Sequence, residues 1–337
     1  MSYPSESTTS PRSGSTFRCL LGVIAIAALA ACQPSDETAD TAEAAAPPMV
    51  EEAAEAATEV MEAVEETVPA LSNEARLDDI LAAQPEDAQA RYEARNPKAT
   101  LEFFGIEPGM TVVEALPSGG WYSRILIPYL GEEGTLIGAN YPIALFENFG
   151  FATPEFMEGI ANWPETFPVD AEAWCDEDCA SVEGFWLGEL PESMAGSADA
   201  VLFIRALHNM ARFQNEGIDQ FLDQAMADAF AVLKPGGVFG IVQHEISEEV
   251  SDEAATGAGG YLKRSFVIAQ AEAAGFVLDE VSDINANPMD QAGEGDIVWR
   301  LPPSLGTSQD NPELRAEMEA IGESNRMTLR FRKPAEA

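Results

Sequence analysis

Between Thr111 and Leu130 the sequence TVVEALPSGGWYSRILIPYL passes from an apolar run, through a turn of small residues, into an amphipathic helical pattern. Few folds accommodate that order. In an open α/β sheet the turn after the first strand comes close to ligand, and Gly119 and Gly120 remove the Cβ atoms that would hold a ligand away. Met110 to Leu116 is apolar except for Glu114, as a strand covered on both faces requires. A helix over Gly120 to Leu130, a stop at Gly131 to Gly134 and a second strand at Thr135 to Asn140 complete a β-α-β unit of about thirty residues.

The same alternation continues. Ahead of the unit, Asp87 to Phe104 reads as an interrupted helix whose second half Pro97 starts. Beyond it, strands are expected at Ser181 to Gly188, Asp199 to Arg205, Val238 to Gln243, Phe276 to Ile284 and Arg326 to Lys333. Helices are expected at Gln214 to Leu233, with Ile218, Phe221, Leu222, Ala225, Ala229 and Val232 on one stripe, and at Leu262 to Ala274, which Gly275 stops. LKPGG is read as a stop and turn before the fifth strand. Residues Pro142 to Ala180 show no clear period and form an insertion whose elements are left unplaced. Strands alternating with helices imply a parallel sheet with right-handed crossovers.

The first 72 residues have another character. Phe17 to Cys32, with Arg12 and Arg18 ahead of an apolar run too short to span a bilayer, reads as a signal peptide (residues 1–31) ending in a lipid-attachment site at Cys32. The alternatives are a plain secretory signal or an apolar helix. Residues 32–72 turn to Ala, Glu, Asp, Thr and Pro and read as an acidic tether, although Val50 to Val68 carries the spacing of a lone helix or weak coiled coil. The domain proper is expected over residues 73–337, lipid-anchored in the cell envelope and facing the periplasm, with the membrane as partner only through that anchor.

A formal net charge of −40, from 58 acidic against 18 basic residues, argues against nucleic acid and anionic lipid headgroups as partners, since both would be repelled. Cys175 and Cys179, in CDEDC, read in an oxidising compartment as a short-loop disulfide. A metal clip using the intervening acids is the alternative, but no second Cys or His pair lies near in sequence, and no metal site is assigned.

Both histidines of the chain, His208 and His244, follow expected strands four and five, whose carboxyl ends share the ligand side of the sheet. Either imidazole could serve as a general base near neutral pH, or simply bond a loop backbone. Trp121, Tyr122 and Trp174 could stack on a ligand, with core packing the simpler role. Ser118 at a sharp turn suggests a hydrolase nucleophile, but the elbow motif needs glycine where Leu116 stands.

Three segments, VVEALPSGGWYSRILIPYLG, ADAVLFIRALHNM and VLKPGGVFGIVQHE, supported by GYLKRSFVIAQAEAAGF and RMTLRFRKP, together resemble the class I S-adenosylmethionine-dependent methyltransferases, in particular a bacterial group of such proteins with secretory leaders. The resemblance spans roughly Ala90 to Pro334. It implies a single Rossmann-like methyltransferase domain: an α/β fold with a mostly parallel seven-stranded sheet, an antiparallel last strand and helices on both faces. It implies S-adenosylmethionine as cofactor, held by Glu114, by the turn Pro117, Ser118, Gly119 and Gly120, and by Asn140 at the ribose. Leu116 and Ser118 stand where the family has glycines, and Asn140 where it has an acid. His208 and Asn209 would lie beside the methyl, the first removing a proton and the second orienting the acceptor, with His244 and Glu245 on the opposite wall. The implied activity is methyl transfer to a small-molecule or envelope-associated acceptor. The competing reading is a non-catalytic module that keeps the crevice for another ligand.

Overall fold

The computed structural model describes residues 72–335; the expected signal peptide, Cys32 and the expected tether up to residue 71 lie outside the described residues. The described chain is an α/β fold built on one sheet in the order β3-β2-β1-β4-β5-β8-β7, with β6 paired to β5 off that path. The strands are β1 (Thr111–Ala115), β2 (Thr135–Asn140), β3 (Ser181–Trp186), β4 (Ala198–Ile204), β5 (Leu233–Ile246), β6 (Leu262–Lys263), β7 (Val277–Ser282) and β8 (Arg326–Arg332). β1, β2, β3, β4 and β5 pair in parallel, and β8 runs antiparallel to both β5 and β7. The parallel ladder needs both faces covered, because neither side of such strands carries the polar residues that water would solvate.

Helices supply that cover. On one face lie α1 (Asn73–Ala83), α2 (Pro97–Phe104), α3 (Ser123–Leu130) and, from the insertion before β3, α5 (Trp163–Ala171), while α4 (Pro154–Ile160) of the same insertion sets Phe156, Met157 and Ile160 against the other face. Of these, α1, α2, α3 and α5 bury Leu77, Leu101, Phe104, Leu126 and Phe167 with Val112, Leu136 and Leu202 of the sheet. On the other face α6 (Leu207–Asn215), α7 (Phe221–Val232) and α8 (Arg264–Ala273) bury Met210, Leu222, Ala225 and Val267 with Val113, Ile137, Phe203 and Phe239. The last helix, α9 (Pro312–Ile321), precedes β8. Successive strand residues point to opposite sides, so Val112 and Val113 enter different cores. Each large side chain so buried contributes about 1.5–3 kcal/mol. Gly240 lets α2 settle on β5: a Cβ there would stand 2.8 Å from the Phe104 ring.

Most expected strands occupy their places within a few residues, and α2 begins at Pro97. Four expectations need correction. The helix expected over Gln214 to Leu233 is two, α6 and α7: Gly217 takes φ +74° between them, the Gln214 Oε1 accepts from the N–H groups of Leu222 and Asp223, and Ile218 is left exposed. LKPGG does not turn ahead of the fifth strand but forms part of β5, where the register against β4 slips between Ala198 and Ala200 and Gly236 N–H donates to Lys333 O. The helix after the Gly119–Gly120 turn starts only at Ser123, and the one expected from Leu262 starts at Arg264, because Leu262 and Lys263 pair with Glu245 and Ile246. The insertion is helical, and Cys175 and Cys179 close it as a disulfide. Among the described residues no helix is long and apolar enough to cross a membrane.

Candidate functional site

The carboxyl ends of β1, β2, β4 and β5 lie on one side, and the chain turns sharply as it leaves β1. Leu116, Ser118 and Gly120 take φ of 54°, 52° and 75°, so every second residue of the turn is left-handed. Glycine adopts that conformation freely, whereas a residue with Cβ loses about 1–2 kcal/mol. Two backbone bonds hold the turn: Leu116 N–H to Ala139 O at 2.7 Å and Gly120 N–H to the carbonyl of buried Pro117 at 2.9 Å. Gly119 faces open space, with no atom within 4 Å of where a Cβ would stand. Gly120 is opposite in character, since a Cβ there would lie 2.7 Å or less from three atoms of the Trp174 ring. Trp174 thus packs against the turn beside the Arg124 guanidinium, 5.4 Å from its ring centre, and the Cys175–Cys179 disulfide follows directly. Trp121 is covered by Arg95 at 4.8 Å, and Tyr122 is buried, so all three aromatics pack on protein groups.

Glu114 is buried near the end of β1, where its Oε2 accepts a 2.6 Å hydrogen bond from Ser123 Oγ at the start of α3. Burial raises its pKa to about 7, against the pull of Ser123 and of the Arg205 charge. It is therefore poised to change protonation near neutrality. At the end of β2, buried Asn140 turns its Oδ1 onto the Tyr141 N–H at 2.9 Å. The Tyr141 hydroxyl donates to Ala206 O, joining the strands on either side of β1.

His208, in the first turn of α6, and His244, near the end of β5, come together with ring centroids 5.6 Å apart and inclined at 61°. Trp299 stands 6.0 Å from the first ring and Tyr261 6.3 Å from the second. The His244 Nδ1 shares a 2.6 Å hydrogen bond with Ser324 Oγ, while the His208 Nδ1 is buried without a direct partner among the described side chains. Burial pushes His208 down to about 4 and His244 well below the ordinary imidazole value, the latter helped by His208 and nearby arginines. Both rings are neutral at pH 7 but hold a proton poorly, and that lowered basicity weakens the general-base role expected of them. Asn209 is half-buried beside His208, and Glu245 is held bidentately by Arg264 at 2.8 and 2.9 Å.

Sequence reasoning missed the arginines. Glu323 accepts from Arg91, Arg95 and Arg326, three guanidiniums on one carboxylate that tie the helices before β1 to the start of β8. Arg205 follows β4 with φ +61°. It is half-buried, and burial and the charges of Arg95 and Arg326 push its pKa down to about 9. Its own charge in turn acts on Glu114, His208 and His244. A signal existed: residues 125–204 contain no Lys or Arg, and Arg205 ends that stretch at the tip of an apolar strand.

No protein-family model matches this sequence, and no curated protein matches it. Solved structures to which the fold is similar include the [4+2]-cyclase SpnF, at 16% identity and a TM-score of 0.44, with 72% of this chain and 80% of that one covered. A SAM dependent methyltransferase from Aquifex aeolicus is similar at 15% identity and a TM-score of 0.41, over 76% of this chain and 98% of that one. The putative methyltransferase in complex with the Trm112 activator from Haloferax volcanii is similar at 18% identity and a TM-score of 0.43, over 77% and 97%.

Proposed function

We propose that this chain transfers a methyl group from S-adenosylmethionine to a small-molecule or envelope-associated acceptor. The observation that carries the reading is the turn after β1: Leu116, Ser118 and Gly120 keep the alternating left-handed backbone that glycines would adopt, directly behind a buried Glu114. Strain of this kind persists only where the surroundings enforce it, and it concentrates at ligand sites. The strand order, with β8 alone antiparallel, and the ligand-side position of His208, Asn209 and His244 agree with the same reading.

The residues present fit the cofactor. Gly119 leaves an open approach to the turn, Glu114 can ionise against a cationic amino group, and Asn140 Nδ2 makes no hydrogen bond to a described residue and so has N–H groups to offer a ribose hydroxyl. When bound, S-adenosylmethionine supplies an electrophilic methyl on sulfonium. The protein's own contribution is positional: methyl transfer needs an in-line approach, and holding two partners in line substitutes for covalent catalysis. His208 and His244 act as neutral hydrogen-bonding groups in that role, and Asn209 orients the acceptor. Export and attachment through lipid on Cys32 belong to the same proposal, and they place the crevice outside the cytoplasm.

Calorimetric titration of the protein with S-adenosylmethionine tests the reading. Saturable binding, weakened at least tenfold in Asn140→Ala, is expected. Absence of binding at high micromolar cofactor would leave only the reading of a non-catalytic module with another ligand.

A further inference from the structure

Arg91, Arg95, Arg264, Arg300 and Arg326 each lie on a carboxylate. Arg205 does not. No ion pair or hydrogen bond joins its side chain to another described residue, although the chain holds 58 acidic residues against 18 basic ones. In so acidic a protein a guanidinium lacks a partner only where the fold keeps carboxylates away. The backbone places it deliberately: Arg205 is left-handed at φ +61°, and its N–H is fixed on Val242 O at 2.6 Å. The surrounding charge does not neutralise it, because Glu323 already serves three arginines and Glu114 is protonated about half the time near pH 7.

We propose that Arg205 is the docking point for a carboxylate carried by the methyl acceptor, which makes the acceptor a small organic acid. A guanidinium presents a planar fork of N–H donors that matches the two oxygens of a carboxylate. A single free guanidinium beside Glu114 suits a monoanion better than a phosphate dianion, which would meet that carboxyl as well. Arg205 directly follows the last residue of β4, Ile204, and stands three residues before His208, whose buried Nδ1 offers a further polar contact. Its charge reaches Glu114 on one side and His208 and His244 on the other, so a carboxylate held there would lie between the acid of β1 and the two imidazoles. The assignment to the acceptor rests on the methyl-transfer reading; the carboxylate site itself does not.

The test titrates the full-length protein with sodium acetate and sodium benzoate at fixed ionic strength, followed by calorimetry and thermal unfolding, with chloride and inorganic phosphate as comparison anions. Expected are saturable carboxylate binding that raises Tm by a few degrees, weaker binding of phosphate, a loss of at least tenfold in Arg205→Gln and a partial loss in Arg205→Lys. Folding of each variant is checked by circular dichroism, and Arg205→Lys keeps the charge should Arg205→Gln not fold. Failure of both carboxylates to bind, unchanged binding in the variants, or tighter binding of phosphate overturns the site. A second titration adds S-adenosylmethionine. Simultaneous binding supports the acceptor assignment; mutual exclusion overturns it by giving Arg205 to the cofactor's own carboxylate. Carboxylate binding with no cofactor binding sinks the methyl-transfer reading and leaves the anion site standing.

Discussion

Ser123 Oγ stands 2.6 Å from Glu114 Oε2, so the first residue of α3 holds the acid near the end of β1. The bond is made inside the protein, where a carboxylate loses its hydration, and the pKa of Glu114 rises from 4.5 to about 7. A raised acid pKa means that the folded state holds the proton longer than the unfolded chain does. Its contribution to stability is full below pH 4.5 and is lost as pH rises toward 7. Glu114→Gln, which cannot ionise, is expected to gain on the wild type by about 1.4 kcal/mol per pH unit across that window. Urea unfolding of both proteins at pH 5, 6 and 8 measures it; a difference that does not change with pH contradicts the burial account.

His208 works in the opposite direction. Its pKa falls from 6.5 to about 4 on burial, so its contribution is complete above pH 6.5 and is lost as pH falls toward 4, by about 3 kcal/mol in all. Because Glu114 gains stability over the same range, the wild-type profile is flattened. His208→Gln removes one of the two opposing slopes. Its unfolding free energy should rise on acidification from pH 7 to pH 4.5 relative to wild type, because the Glu114 slope is left unopposed; an identical slope would show that the imidazole titrates as in the unfolded chain.

Ser118 is exposed and left-handed, and its Oγ makes one long bond to Leu116 O at 3.3 Å. Ser118→Gly relieves the backbone at the cost of added freedom in the unfolded chain, for a net gain of about 0.5–1 kcal/mol. Thermal unfolding reads this directly. A loss of stability would mean that the hydroxyl matters more than the backbone.

Gly120→Ala has no room. Its Cβ would meet the Trp174 ring at a φ of +75°, and a loss of about 2–4 kcal/mol is expected from overpacking and strain together. Trp174→Leu in the same chain removes the clash but not the strain. Denaturant unfolding of the single and double variants forms a cycle in which the second substitution should cost less in the alanine background than alone.

The fold was legible because its signals are local. The apolar runs of β1, β2 and β4 and the glycine stops at Gly131 and Gly275 depend on neighbours in sequence. The division of α6 from α7 was not, because Gln214 caps α7 with a side chain from the preceding helix while the apolar stripe continues through Ile218. Proline and glycine in LKPGG speak for a turn, yet the backbone bond to Lys333, about a hundred residues away by sequence, keeps the segment in β5.

At the site, the convergence of His208 and His244 followed from strand order. Their neutral state did not, because it follows chiefly from burial, helped at His244 by the charges of Arg326, Arg205 and Arg95. Leu116 and Ser118 show a related limit of pattern reading: the residue types depart from glycine, and only the backbone angles show that the turn is kept.

The most direct test of the crevice uses the fact that the chain has only two histidines. S-adenosylmethionine carrying a 13C methyl, bound to the protein, is examined for nuclear Overhauser contacts to imidazole ring protons, with His208→Gln and His244→Gln identifying each signal. The account predicts contacts from the bound methyl to the His208 ring, lost in His208→Gln. Bound cofactor whose methyl touches neither imidazole would contradict it.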